Sequence, residues 1–103
     1  MMVRWIAAVL VAASTGFAAA QGKDALYVRS LAATCASCHG TNGRAAEGSA
    51  VPSLSGTPRA EMIAQMAAFK SGTRSATVMH QLSKGYTDAQ IVELADYFAA
   101  QQR

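Results

Sequence analysis

Three stretches of the chain space apolar residues as helices do. In the last, Ile91, Leu94, Ala95 and Phe98 recur at i, i+3, i+4 and i+7, with Tyr97 flanking the stripe. Thr87-Asp88-Ala89-Gln90 ahead of it fits a capping box, with Thr87 as the cap and Gln90 reaching back. In the middle stretch Met62, Ile63, Met66 and Phe69 share one face, while Arg59, Glu61, Gln65 and Lys70 lie largely off it. Thr57 is placed to cap this helix and Pro58 suits its first position. Ser71-Gly72 should stop it after about Lys70. The first stretch runs from about Asp24, a candidate cap, to Cys35. Its stripe of Ala25, Leu26, Val28, Leu31 and Ala32 is broader. No strand-like alternation of useful length occurs, so the pattern predicts an all-α domain.

Two segments have no period. Residues 40–57 are rich in Gly, Ser, Asn, Ala and Pro, and residues 72–86 form a second irregular stretch. Long loops in small domains tend to carry function.

The N-terminus is of another kind. Arg4 supplies a positive start, Trp5 to Ala13 is an apolar run too short to span a bilayer comfortably, and Ala18-Ala19-Ala20 offers a small-residue cleavage site. Residues 1–20 therefore read as a secretory signal peptide, with an uncleaved anchor as the alternative. Removing twenty residues from 103 leaves 83, one domain spanning 21–103. Of nine Lys and Arg only Arg4 is lost, and none of the six Asp and Glu, so the formal net charge becomes +2. That is no nucleic-acid-binding stripe. So small a domain buries a marginal core unaided.

The chemistry concentrates in Cys35-Ala36-Ser37-Cys38-His39. Cys-x-x-Cys-His is the attachment signature of a c-type haem: each thiol adds to one vinyl group, and the histidine is held beneath the iron. A thioredoxin-type dithiol would want a βαβ context, which is missing. A zinc site lacks a second cysteine pair, His80 being the only other histidine. A disulfide closing so short a loop would gain little. One covalent haem c per chain is the expected cofactor. Its attachment outside the cytoplasmic membrane of bacteria agrees with export to the periplasm.

Two further groups bear on that cofactor. Pro52 keeps a carbonyl that can accept the second imidazole N–H of His39, with Leu54 packing on the haem; the segment reads equally as an ordinary turn with one buried leucine. Met79, between the last two helices, is the main candidate for the second axial ligand. His80 is its rival, and Met62 or Met66 would be unusual ligands because methionines at helical spacing are usually core. Lys70, Arg74 and Lys84 flank this segment and are candidates for a positive rim around an exposed haem edge.

The order helix, Cys-x-x-Cys-His-Gly, Pro-containing loop, helix, Met loop and aromatic-ended helix, over residues 22–102, resembles the class I cytochromes c. Ala76-Thr77-Val78-Met79-His80-Gln81-Leu82 and Lys84-Gly85-Tyr86-Thr87-Asp88-Ala89-Gln90-Ile91 look most like the cytochrome subunits of flavocytochrome c sulfide dehydrogenases. The resemblance implies helices and loops wrapped around one covalent haem. It implies Cys35 and Cys38 as thioether sites, His39 and Met79 as iron ligands, and the Pro52 carbonyl orienting His39. It implies Tyr97 and Phe98 packing across the first helix, where members often have a small residue near the position of Tyr27. A single motif makes this the one-haem form. The function implied is single-electron transfer without catalysis, with a flavoprotein subunit as partner. A freely diffusing carrier between periplasmic redox enzymes is the alternative, and a haem enzyme or gas sensor with open iron is a third possibility. No membrane span is expected after leader cleavage.

Overall fold

The computed structural model describes residues 16–103. The start of the expected leader, residues 1–15, lies outside them. The elements are α1 (Gly16–Ala33), α2 (Ala36–His39), a 3₁₀ turn (Thr41–Gly43), α3 (Arg59–Ser71), α4 (Met79–Leu82), a second 3₁₀ turn (Ser83–Gly85) and α5 (Asp88–Ala99). There is no strand among the described residues.

α5 is the hub. Its Leu94, Ala95 and Phe98 are buried, and they meet Ala32 of α1 and Met62 of α3 in one cluster. Leu31, Leu54, Ile63, Met66, Tyr86 and Tyr97 pack around it. The methionines of α3 thus serve the core. The capping box forms: Gln90 N–H donates to Thr87 Oγ1 at 3.1 Å, and Thr87 N–H donates to Gln90 Oε1 at 2.9 Å. These bonds satisfy two donors that a bare helix end leaves free.

Three boundaries differ from expectation. The described part of α1 already includes Gly16 and runs through Ala18-Ala19-Ala20, so Asp24 lies inside it and does not cap it. Alanine is the best helix former and carries the helix upstream. At α3, Pro58 occupies the cap position with an extended ψ of 138°, and Thr57 makes no capping bond. The Pro58 carbonyl accepts Met62 N–H at 3.1 Å. The stretch 72–86 is more ordered than a loop, because Met79 begins a helical turn and Ser83 a 3₁₀ turn. Val78, outside helical geometry, accepts the N–H groups of Gln81 and Leu82 at its carbonyl and starts that turn.

Tyr27 does not obstruct the crossing of α1 and α5. It is about half exposed, and its hydroxyl accepts from Gln90 Nε2 at 3.1 Å. Ala32, further along α1, supplies the buried contact. Tyr97 and Phe98 meet edge to face, with centroids 5.3 Å apart, and Tyr97 donates its hydroxyl to Asn42 Oδ1 at 2.6 Å.

Gly43 ties the loop to this core. Its carbonyl accepts both Leu54 N–H at 2.7 Å and Ser55 N–H at 3.1 Å. Its φ is +75°, and a Cβ would stand 2.8 Å from the Phe98 ring and 2.9 Å from Leu54 Cβ. Gly43→Ala meets both a backbone and a packing penalty, together about 2–4 kcal/mol. In thermal unfolding that predicts a fall of about 10 °C or more; an unchanged midpoint would show that the approach is looser than this.

Candidate functional site

The motif sits where α1 gives way to one more turn of helix. Thr34 and Cys35 donate to the carbonyls of Leu31 and Ala32 at 3.2 and 3.1 Å, and then His39 N–H donates to Cys35 O at 2.9 Å. Cys35 keeps a right-handed helical conformation, φ −84° and ψ −19°. Residues three and four apart on a helical turn share a face, so Cys35, Cys38 and His39 are presented together. Gly40 lets the chain leave at once: its φ is +85°, and a Cβ would fall 1.9 Å from the carbonyl oxygen of Arg44.

The two thiols stand in different surroundings. Cys35 is partly covered by the core, and Cys38 is exposed. Burial pushes the Cys35 thiol up, opposed by the neighbouring Thr34 hydroxyl. They are not joined to each other.

His39 is buried, and its Nδ1 lies 2.7 Å from the Pro52 carbonyl oxygen. A carbonyl only accepts, so Nδ1 carries the proton and donates. That places the lone pair on Nε2, which has no hydrogen-bond partner among the described residues. The loop holds the carbonyl there by the two bonds to Gly43, by Ala45 N–H to Ser53 Oγ at 2.9 Å, and by Gly56 N–H to Phe98 O at 2.8 Å. Leu54 is half-buried against the core edge.

Met79 and His80 open α4, and both are half-buried. Val78 and Leu82, around the same turn, leave 51% of their surface exposed. The Nδ1 of His80 is buried without a hydrogen-bond partner, which no spacing in the chain signals.

The segment carrying Met79 is closed by a clamp that periodicity also does not reveal. Tyr86 and Thr34 share a hydroxyl–hydroxyl bond of 2.6 Å, one residue before Cys35. The Tyr86 carbonyl accepts Lys70 Nζ at 2.7 Å. This corrects the expected rim: Lys70 is turned to Tyr86 and, at 3.3 Å, to Asp88. Arg74 lies over the Phe69 ring at 4.9 Å, and Arg59 pairs with Asp96 at 2.6 Å. Lys84 is exposed and has no such partner among the described residues.

The donor set is therefore one imidazole with its tautomer preset, a pair of unlinked thiols beside it, and a thioether on a separate turn bordered by exposed apolar side chains. No group of three or more His, Cys, Asp or Glu comes together among the described residues, as a zinc centre would require. The set fits a haem: thiols for the vinyl groups, nitrogen and sulfur for the iron, apolar surface for the ring.

The cytochrome c family model matches residues 25–101. The chain belongs to the cytochrome c family. It is 40% identical over 68 residues to the cytochrome subunit of sulfide dehydrogenase of Chlorobaculum tepidum, covering 66% of this chain and 60% of that protein. It is 34% identical over 88 residues to cytochrome c4 of Pseudomonas aeruginosa, covering 85% of this chain and 43% of the relative. With the thiosulfate dehydrogenase electron acceptor of Thiomonas intermedia it shares 34% over 68 residues, 66% of this chain and 31% of that protein. The chain thus matches less than two thirds of the length of each of these relatives. The all-helical architecture is the class I cytochrome c fold, the cofactor is covalently bound haem c, and the chain is a cytochrome c electron carrier. Among the described residues no helix is long and apolar enough to cross a membrane.

The Tyr86 clamp gives a prediction. Tyr86→Phe removes one hydroxyl bond between the Met79 segment and the attachment turn, at a cost of about 1 kcal/mol. Thermal unfolding of the haem-loaded protein should fall by about 4–8 °C. Added imidazole should also displace the native sixth ligand at lower concentration. Unchanged values in both would remove the clamp's role.

Proposed function

We propose that the chain is a periplasmic one-electron carrier in which Cys35 and Cys38 hold the haem, His39 and Met79 ligate its iron, and a sulfide-oxidising flavoprotein supplies the electrons. The observation that carries the ligand assignment is the 2.7 Å bond from His39 Nδ1 to the Pro52 carbonyl. It leaves Nε2 as the free donor atom on the turn that also presents both thiols, and a hydrogen bond of this kind raises the basicity of the ligating nitrogen. Bound haem supplies a ferric–ferrous couple, which methionine ligation moves upward. The polypeptide holds the imidazole orientation through the loop's bonds to Gly43 and Phe98, and it positions Met79 through α4 and Tyr86. With His39 and Met79 both as ligands, the iron would offer no site for a substrate, and the protein would pass electrons one at a time.

Residues 1–20 are proposed as a leader cleaved after Ala20, leaving the haem domain 21–103 in the periplasm. Cleavage would bring Asp24 into the first turn of α1, where a carboxylate is favourable.

Similarity to the Chlorobaculum sulfide dehydrogenase subunit supports the flavoprotein partner. So does the surface around Met79. Val78 and Leu82 offer apolar area, while Lys70, Arg74 and Arg59 are engaged within the chain. A freely diffusing carrier would rely more on a charged rim, since transient redox encounters are small and steered by field.

Met79→Ala should admit carbon monoxide to the ferrous iron, lower the reduction potential and abolish the sulfur–iron charge-transfer absorption. His80→Ala should leave the visible spectrum nearly unchanged. A spectrum that survives the first change and alters with the second makes His80 the ligand.

The partner reading has its own measurement. Electron transfer from the flavoprotein should change less than about twofold between low and high salt, because an apolar contact is little screened. Val78→Ser with Leu82→Ser should slow it severalfold. Strong salt dependence with no effect of these substitutions points to the diffusing carrier.

A further inference from the structure

A surface depression of about 360 Å³ lies between the 44–57 loop and the segment that follows α5. It is at the lower end of the size range of small-molecule sites, ~300–1,000 Å³. Its lining is Arg44, Ser53, Ser55, Thr57 and Arg103: two guanidinium groups and three hydroxyls, with no Asp or Glu. None of these residues belongs to the haem-binding set.

Both arginines are held by backbone carbonyls. Arg44 donates to Gln102 O from Nη2 at 2.9 Å and Nε at 3.3 Å, and Arg103 donates to Gly56 O at 3.4 Å. Neither forms an ion pair among the described residues; the two salt bridges there belong to Arg59 and Lys70. Carbonyl partners orient a guanidinium without neutralising it, so no Asp or Glu side chain offsets either arginine around the hollow. Each still has N–H groups to offer, since a guanidinium carries five.

The hydroxyls point to the occupant. Ser55 is only 5% exposed, yet its hydroxyl makes no hydrogen bond within the described residues, although the residue lines the depression. The Oγ of this otherwise buried residue is not closed off from solvent, so the hydroxyl is free to donate to an occupant of the hollow. Ser53 Oγ accepts Ala45 N–H at 2.9 Å and keeps its proton to donate. Thr57, on the same wall, has no side-chain partner either. Donors of this kind converging with two arginines match an acceptor-only ligand of negative charge.

We propose that this depression is a binding site for a small tetrahedral oxyanion of the phosphate or sulfate type. Arg44 and Arg103 supply charge-assisted bonds, and Ser55 supplies the deep hydroxyl donor. Occupancy bridges the 44–57 loop to the segment that follows α5. That loop also carries Pro52, so the anion braces the segment that orients His39.

The test is a titration of the haem-loaded protein with inorganic phosphate at constant ionic strength, followed by amide resonances, with chloride as the control. Saturable one-to-one shifts centred on Arg44, Ser55 and Arg103, absent with chloride, are expected. Arg103→Gln should weaken binding about tenfold or more, and Ser55→Ala about threefold or more. Arg44→Gln should do as Arg103→Gln does, but Arg44 also holds Gln102. The serine variant, which removes no contact made within the chain, guards against a loss of fold being read as a loss of binding. Non-saturating shifts, equal shifts with chloride, or undiminished binding in Ser55→Ala and Arg103→Gln would overturn the proposal. So would an Arg44→Gln protein whose reduction potential changes while phosphate fails to bind the unmutated protein, because the guanidinium would then serve a haem carboxylate. If binding responds to acidic peptides and not to phosphate, the site belongs to a protein partner and the proposal is equally lost.

Discussion

The bond from the His39 imidazole to the Pro52 carbonyl sets what the rest of the structure must supply. An imidazole alone has two tautomers and a freely turning ring. Fixing both needs an acceptor at hydrogen-bond distance from Nδ1, on a chain segment thirteen residues away. The loop meets that demand indirectly. It is bonded to Gly43 at Leu54 and Ser55, and to Phe98 at Gly56, and Phe98 is anchored in the middle of the core. The orientation of one ring therefore rests on α5, although α5 contributes no candidate ligand.

The same dependence explains the distribution of apolar residues. Among the described residues the core cluster has five buried members, drawn from α1, α3 and α5. That is little apolar material to hold α3 and α5, which at 13 and 12 residues are marginal helices alone. A covalent haem adds apolar surface along the attachment turn and the Met79 segment. Leu54, half-buried at the edge of this cluster, is the kind of residue such a surface would cover.

Charge follows a different logic. The formal excess is small, and four cations are engaged with groups of the chain itself: Arg59 with Asp96, Lys70 with Asp88 and a carbonyl, Arg44 and Arg103 with carbonyls. Exposed pairs such as Arg59–Asp96 contribute about 0–1 kcal/mol, so their effect on field matters more than their effect on stability.

Much of the molecule was legible in the sequence. The pentapeptide Cys35–His39 named the cofactor, because three donors at that spacing have few other uses. The α5 stripe and its capping box were readable because both depend on contacts within one helical turn. Pro52 was readable as a carbonyl acceptor, though equally as part of an ordinary turn; the family resemblance favours the acceptor. What the tertiary structure decided involves partners far apart along the chain. The Thr34–Tyr86 bond joins residues 52 apart, the turn of Lys70 away from the rim depends on a carbonyl sixteen residues on, and the pairing of Arg44 with Gln102 spans 58. Local pattern encodes helix faces and ends, since those interactions lie within four residues of each other. Side-chain bonds between distant segments depend on how the helices cross, and that is settled only when the core around Phe98 closes.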